Sequence, residues 1–283
     1  MNNFVTIVIP SYKSRELVLS HIKKISIKIR IIIVENSSDD KLKKDVEKKY
    51  KNVKVFLQKN IGYGCAINYG AKFVKTKFFF VINPDTKIYK NTISNLVSVA
   101  KKIKYFGALS PIQIKHRNQI NKKVTFVMQK VLNGGAMFFD TKIFKKIKGF
   151  DKNIFLYYEE NDYFHKCNQL NLKLYSINKS FFYHSLKGDS SSAIFKGIKE
   201  KNYAYLISGW HGQWSKFYYL KKYNGFIYSF LKCAPNLIIN LIQLLIKLLT
   251  FSPKTKYVYF KIEGLLSSIL GFPSFKRSKY DRF

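Results

Sequence analysis

Three features of the sequence predict an α/β fold with a mostly parallel central sheet and a C-terminal amphipathic helical extension. Short runs rich in β-branched and aromatic residues recur at 4–9, 30–34, 53–57 and 78–82. Segments with helical spacing separate them, and strands of this kind that alternate with helices belong to parallel sheets covered on both faces. Polar clusters close the runs at 10–12, 35–40 and 83–86, and open parallel sheets bind ligands beyond the carboxyl ends of their strands.

The first strand, FVTIVI, is stopped by Pro10-Ser11-Tyr12, and residues 17–29 follow with mixed helical spacing. RIIIV at 30–34 is the second strand. Glu35-Asn36-Ser37-Ser38-Asp39-Asp40 ends it and opens a helix over 41–50. VKVFL at 53–57 is the third strand, and Gly62, Gly64 and Gly70 surround a loop-to-helix transition. FFFVI at 78–82 is the fourth, ending at Asn83-Pro84-Asp85. Residues 104–133 read as less regular and lead into GGAMFF at 134–139. Gly149-Phe150-Asp151 then precedes the acidic Glu159-Glu160-Asn161-Asp162, and Tyr175 to Tyr183 reads as a strand pair ending in His184 and a polar loop through Ser192.

Near 195 the character changes, which divides the chain into an α/β domain over 1–195 and a helical region over 196–283. Leucine and isoleucine dominate 237–249, while Asn236, Asn240, Gln243 and Lys247 recur at spacings of four, three and four. That spacing stacks them on one narrow face of a helix whose remaining surface is apolar. Lys232 and Lys247 bracket an apolar stretch shorter than the ~18 residues of a bilayer span. Interfacial membrane contact is therefore the leading expectation, ahead of packing on the globular domain and of a true span.

Composition narrows the function classes. With 47% hydrophobic residues in 283, the chain has a core to bury and is not disordered. Cys65, Cys167 and Cys233 are odd in number and far apart, so a disulfide framework and a cysteine zinc site are not expected, and a reducing compartment is. The N-terminus runs straight into a strand without a signal-like apolar segment, so export is not expected. The net charge of +35 suggests an anionic partner. However, only five of 51 basic residues are arginine, the side chain that base and phosphate readout favour. The excess is also spread along the chain, with 13 basic and 2 acidic side chains in 201–283. A uniformly basic surface without a nucleic-acid partner is expected, and attraction to an anionic membrane is compatible with it.

Against only 16 acids, their placement is informative. Asp39 or Asp40 can cap a helix, Asp85 can close a turn, and Glu159 to Asp162 can form a negative first helical turn. Taken together at sheet edges, they point to a shared cleft that holds a divalent metal or polarised hydroxyls.

Seven segments in order carry a resemblance. VTIVIPSY, IIIVENSSDD, Asn60-Ile61-Gly62-Tyr63-Gly64 with Ala66, Asn68 and Gly70, FFFVINPDT, NGGAMFF, GFDKNIFLYYEENDYFHK, and His184 with Gly188 and Ser190 resemble the successive motifs of the family 2 glycosyltransferases of the GT-A fold. The likeness covers about residues 4–192 and is greatest to bacterial rhamnosyltransferase-like members. It implies transfer of a sugar from a nucleotide-diphosphate donor with inversion at the anomeric carbon.

Residue by residue, the resemblance makes Asp85 the ligand of a divalent cation, Mg or Mn, that stabilises charge on the leaving diphosphate, with His184 completing that corner. Asn83 stands where the family's Asp-x-Asp motif begins and suits a hydrogen bond to ribose or phosphate. Glu160 takes the position of the general base, with Glu159 or Asp162 as substitutes. Pro10, Ser11 and Tyr12 match the nucleotide edge, and Glu35 is placed to receive a base N–H or ribose hydroxyl, with Asn36 organising the loop. Gly62 and Gly64 permit close approach to the donor, Asn60 and Asn68 supply amides, and Gly134 and Gly135 form the loop beneath the donor sugar or acceptor. The implied partners are a nucleotide-sugar donor, a lipid-linked or glycan acceptor and an anionic membrane surface. The implied location is the inner face of the cytoplasmic membrane. A nucleotidyltransferase-like enzyme, a basic nucleic-acid binder and an inactive scaffold are the alternative readings.

Overall fold

The computed structural model describes residues 4–25, 28–119, 121, 123–184 and 198–281. Gly188, Ser190, the loop through Ser192 and the expected boundary at 195 lie outside them. The backbone groups into two units, Met1–Phe150 with Glu160–Ile194, and Asp151–Glu159 with Phe195–Asp281.

In the first unit the order is β1 (Val5–Ser11), α1 (Arg15–Ile22), β2 (Arg30–Glu35), α2 (Asp40–Glu47), β3 (Val53–Leu57), α3 (Tyr63–Lys72), β4 (Phe78–Ile82), β5 (Thr86–Ile88), α4 (Thr92–Lys102), β6 (Ala108–Gln113), a 3-10 turn (Ile114–Gln119), β7 (Phe126–Gln129), β8 (Ala136–Asp140), α5 (Thr141–Lys146), α6 (Glu159–Gln169) and β9 (Leu174–His184). The described strands form a nine-stranded sheet in the order β3-β2-β1-β4-β8-β6-β9-β5, with β7 also on β9. β3, β2, β1 and β4 are mutually parallel. From β8 onward the sheet is mixed, since β8 runs antiparallel to both β4 and β6 while β6 and β9 are parallel.

Period-two alternation explains why the strand runs are apolar on both faces. Ile7, Ile9, Ile31, Ile33, Phe78 and Phe80 pack on the side of α1, α2 and α4. Val8, Ile32, Val34, Phe79, Val81 and Phe139 pack on the side of α3, α5 and α6. Asp39 caps α2 by accepting from Lys41 N at 3.0 Å, and Asp140 caps α5 through Lys142 N and Ile143 N. Each such cap is worth about 1 kcal/mol.

Three elements differ from the sequence reading. The helix expected over 17–29 ends at Ile22. The stretch 104–133 holds β6, with Pro111 inside it, and the short, exposed β7; a proline and a solvent-facing strand both mask the apolar run that marks a strand. Residues 175–183 belong to one eleven-residue strand, β9, whose register against β6 jumps between Pro111 and Ile112, from Ile177 to Phe181. That bulge gives one strand the sequence signature of two.

The second unit is helical, with α7 (Ile198–Asn224), α8 (Phe226–Leu249) and α9 (Thr255–Ile269). α7 and α9 pack closely: a Cβ at Gly264 would lie 2.2 Å from the Trp210 carbonyl oxygen. Phe217, Cys233 and Leu265 form the small core. α8 contains Pro235 and buries only Ser229, Cys233 and Asn240. From its polar stripe Asn240 turns into the bundle, where Lys261 Nζ donates to its Oδ1 at 2.7 Å, while Gln243 stays exposed. Its apolar side faces outward, with Leu231, Ile239, Ile242, Leu245, Ile246 and Leu249 each at least half exposed. A helix dissolved in water has the opposite orientation.

Candidate functional site

Chain geometry brings the polar clusters to one edge of the sheet in the first unit. β1, β2 and β4 end at Ser11, Glu35 and Ile82. β8 runs the other way, so the residues just before it, Gly134 and Gly135, reach the same edge.

Gly134 and Gly135 join the two halves of the site. A Cβ at Gly134 would lie 2.0 Å from Glu160 Oε1, and one at Gly135 would lie 3.2 Å from the His184 ring. Two consecutive residues without side chains therefore let the Glu160 carboxylate and the His184 imidazole close onto one turn of backbone. That turn is tied to the loop after β4, because Asn83 N and Thr86 Oγ1 both donate to the Gly135 carbonyl, at 3.2 and 3.0 Å. His184 Nε2 stands 3.2 Å from Asp85 Oδ1, placed there by the pairing of Thr86 with His184 across β5 and β9. The other ring nitrogen, Nδ1, is buried and has no hydrogen-bond partner among the described residues.

Glu160 lies in the first turn of α6, and burial pushes its carboxyl pKa above the ordinary value. The other acids of the cluster are placed differently. Asp162 is fully buried and faces Lys166 Nζ at 3.4 Å, one turn along α6. Its carboxylate thus lies within reach of an internal ion pair. Glu159 is 3% exposed, and of the acidic trio Glu160 is the one whose carboxylate closes on Gly134.

On the nucleotide side, Glu35 is 1% exposed. It accepts from Ser11 Oγ at 2.5 Å, Ser37 Oγ at 2.5 Å and Ser37 N at 2.8 Å. Burial raises its pKa, and the hydroxyl bonds from Ser11 and Ser37 oppose that rise. Both carboxylate oxygens thus brace the ends of β1 and β2. Pro10 pairs with Val34 within the sheet. Beyond it, Tyr12 is half-buried and its N donates to Ser14 Oγ at 3.3 Å. Asn36 Nδ2 donates to the Gly62 carbonyl at 3.1 Å, so Asn36 holds the next loop.

That loop begins with Asn60, whose Oδ1 accepts from Gly62 N at 3.3 Å. Gly62 has φ +90°, a conformation that disfavours a side chain, and Gly64 lies buried in the first turn of α3. Asn68 clamps Phe150, since its Nδ2 donates to the Phe150 carbonyl and its Oδ1 accepts from Phe150 N, both at 2.9 Å. Tyr63 was absent from the sequence reading of the site, although it lies between Gly62 and Gly64. Its hydroxyl sits 2.8 Å from Asn83 Oδ1 and 2.9 Å from the Gly134 carbonyl oxygen. A phenol inside a glycine-rich loop was the available signal.

Asp85 and His184 fit one corner of a divalent-cation site by the chemistry of the pair, a carboxylate oxygen and the imidazole Nε2 set 3.2 Å apart. Among the described residues no three His, Cys, Asp or Glu side chains converge.

The fold has solved counterparts. A computed superposition on GalNAc-T7, whose crystal structure holds UDP, GalNAc and Mn2+, gives a TM-score of 0.57 at 16% identity, covering 77% of this chain and 50% of that one. The mannosyltransferase of Pyrobaculum calidifontis in complex with GDP-Man and Mn2+ gives 0.57 at 11% identity, covering 93% and 86%. In sequence, the chain is 25% identical over 172 residues to an uncharacterized glycosyltransferase of Rickettsia typhi, 53% of this chain and 54% of that protein. The chain thus spans about half the length of that relative. The family model described as glycosyl transferase family 2 matches residues 6–174, which takes in the edge from Ser11 through Gly135 to Glu160, and the chain belongs to that family.

Proposed function

We propose that this chain is an inverting, divalent-cation-assisted glycosyltransferase. It moves a sugar from a dTDP or UDP donor to a hydroxyl of a lipid-linked or polysaccharide acceptor in surface-glycan synthesis. The observation that carries the reading is the Gly134-Gly135 turn, which sets Glu160 on one residue and His184 with Asp85 on the next. Inverting transfer needs a base for the acceptor on one side of the sugar and charge stabilisation for the leaving diphosphate on the other. Glu160 takes the acceptor proton as the acceptor oxygen bonds to the anomeric carbon, and the electrons of the breaking bond leave with the nucleoside diphosphate. Asp85 and His184 would hold a Mg or Mn ion, which supplies Lewis-acid neutralisation of the diphosphate when bound. GDP-Man and UDP in the structural counterparts support a nucleotide-linked donor, and Mn2+ in both supports the cation. The likeness to rhamnosyltransferase-like motifs is the basis for favouring a dTDP or UDP sugar.

The outward apolar side of α8 supports a peripheral place on the cytoplasmic face of a membrane. Burying one Leu or Ile side chain is worth about 1.5–3 kcal/mol, and α8 leaves that gain unrealised at Leu231, Ile242, Leu245 and their neighbours. By length and composition α8 is also long enough to cross a bilayer. Exposed Lys232, Lys254 and Lys256 flank the apolar surface and complement anionic headgroups. The functional test is binding and hydrolysis of a panel of nucleotide sugars with Mn2+, Mg2+ or chelator, by wild type and Asp85→Ala. A metal-dependent signal for one donor, lost in the variant, is the expected result; folded protein that binds none of them sinks the reading.

A further inference from the structure

At Tyr63 one phenolic proton faces two acceptors, Asn83 Oδ1 and the Gly134 carbonyl oxygen. A peptide carbonyl can only accept. A primary amide carries an acceptor on one side and two donors on the other, and a half-turn exchanges them in place. The hydroxyl pairs fully with both neighbours in one arrangement: it gives its proton to Gly134 and receives an N–H from Asn83. That arrangement makes two whole hydrogen bonds where otherwise one proton is split between two acceptors. The Asn83 main chain is held in place, because its N–H donates to the Gly135 carbonyl and its carbonyl accepts from Thr86 N at 3.0 Å.

We propose that Tyr63 is a positioning residue that turns the Asn83 amide so that Nδ2 meets the phenol and Oδ1 is the atom offered to a ligand. Asn83 then presents an oxygen two residues before Asp85, which suits a ribose hydroxyl or a hard cation. An asparagine does part of a carboxylate's work there without adding charge. The consequence for donor binding rests on the nucleotide-sugar reading; the amide orientation does not.

Two measurements on the full chain test this. In the unliganded protein, NMR should show a cross-peak between the Asn83 Nδ2 protons and the Tyr63 ring protons beside the hydroxyl. Its absence, with both residues assigned, overturns the orientation. The second is a cycle of UDP affinities in Mn2+ for wild type, Y63F, N83D and the double variant. A carboxylate has oxygen on both sides and needs no orienting, so Y63F should weaken binding about five- to tenfold beside Asn83, the size of one lost hydrogen bond, and less than about twofold in the N83D background. An equal loss in both backgrounds shows that Tyr63 is merely structural and overturns the proposal. Should wild type bind no nucleotide at all, the nucleotide-sugar reading falls, and the cross-peak alone upholds or overturns the orientation.

Discussion

Gly134 lies so close to Glu160 that any side chain on it would start 2.0 Å from Oε1 and 2.8 Å from Cδ. The obstacle is the tip of a flexible side chain, so Gly134→Ala should fold with the carboxylate turned aside. The expected outcome is a melting temperature within a few degrees of wild type and a loss of kcat of about 100-fold or more, the scale of a displaced general base. Thermal unfolding and steady-state kinetics on the same preparation check both halves.

Burial raises the Glu160 pKa, and the base acts only when ionised. The acid limb of kcat should therefore lie above pH 4.5, the ordinary value for glutamate, with the rate falling as pH drops through it. Glu160→Gln should remove the limb together with about 100- to 10,000-fold of the activity. A pH–rate profile that keeps the limb in this variant would assign it to another group.

His211 is fully buried in the helical unit, and its Nε2 lies 2.8 Å from the Lys276 carbonyl oxygen. A carbonyl only accepts, so the proton sits on Nε2, and Nδ1 accepts from Ser274 Oγ at 3.1 Å. Burial, with the Arg277 charge nearby, depresses the pKa from 6.5 to about 3 despite the Lys276 bond. A depressed base gives stability that is complete above pH 6.5 and is lost as pH falls toward 3, on the order of 1.4 kcal/mol per unit. Denaturant titrations of wild type and His211→Gln at pH 7 and pH 5 should show a steeper loss in wild type.

The opposite of the Gly134 result is expected at Gly264. Its neighbour is the Trp210 backbone, with carbonyl oxygen, carbonyl carbon and Cα at 2.2, 2.8 and 2.9 Å, and backbone cannot swing away. Gly264→Ala should destabilise the helical unit by about 1–3 kcal/mol or more, seen as an early transition in thermal melts followed by circular dichroism.

For α8, replacing Ile242 and Leu245 together with lysine should leave the fold intact, because both side chains are at least half exposed. Binding to anionic phospholipid vesicles should fall sharply while donor hydrolysis in solution persists. Undiminished co-sedimentation of the variant would argue against α8 as the membrane contact.

The parallel half of the sheet was legible because each of its strands is a local apolar run, as at Ile31–Val34 and Phe78–Ile82. β6 and β9 were harder because Pro111 and a bulge interrupt their pattern. In the site, Asp85 and His184 were paired by motif order, and the structure sets them 3.2 Å apart. Asp162, Glu35 and Asn68 could not be sorted in advance. Whether a polar side chain meets ligand or protein depends on its rotamer and on distant partners such as Phe150, 82 positions away, and neither is written in local spacing.

Pro235 gives the apolar helix one further property. A proline has no N–H, so it cannot serve the carbonyl of Leu231 one turn earlier. Left without a partner in the oily middle of a bilayer, that bare oxygen would cost several kcal/mol; at headgroup depth water satisfies it. On the peripheral placement proposed above, Pro235 would act as a depth gauge, holding that oxygen where water reaches it.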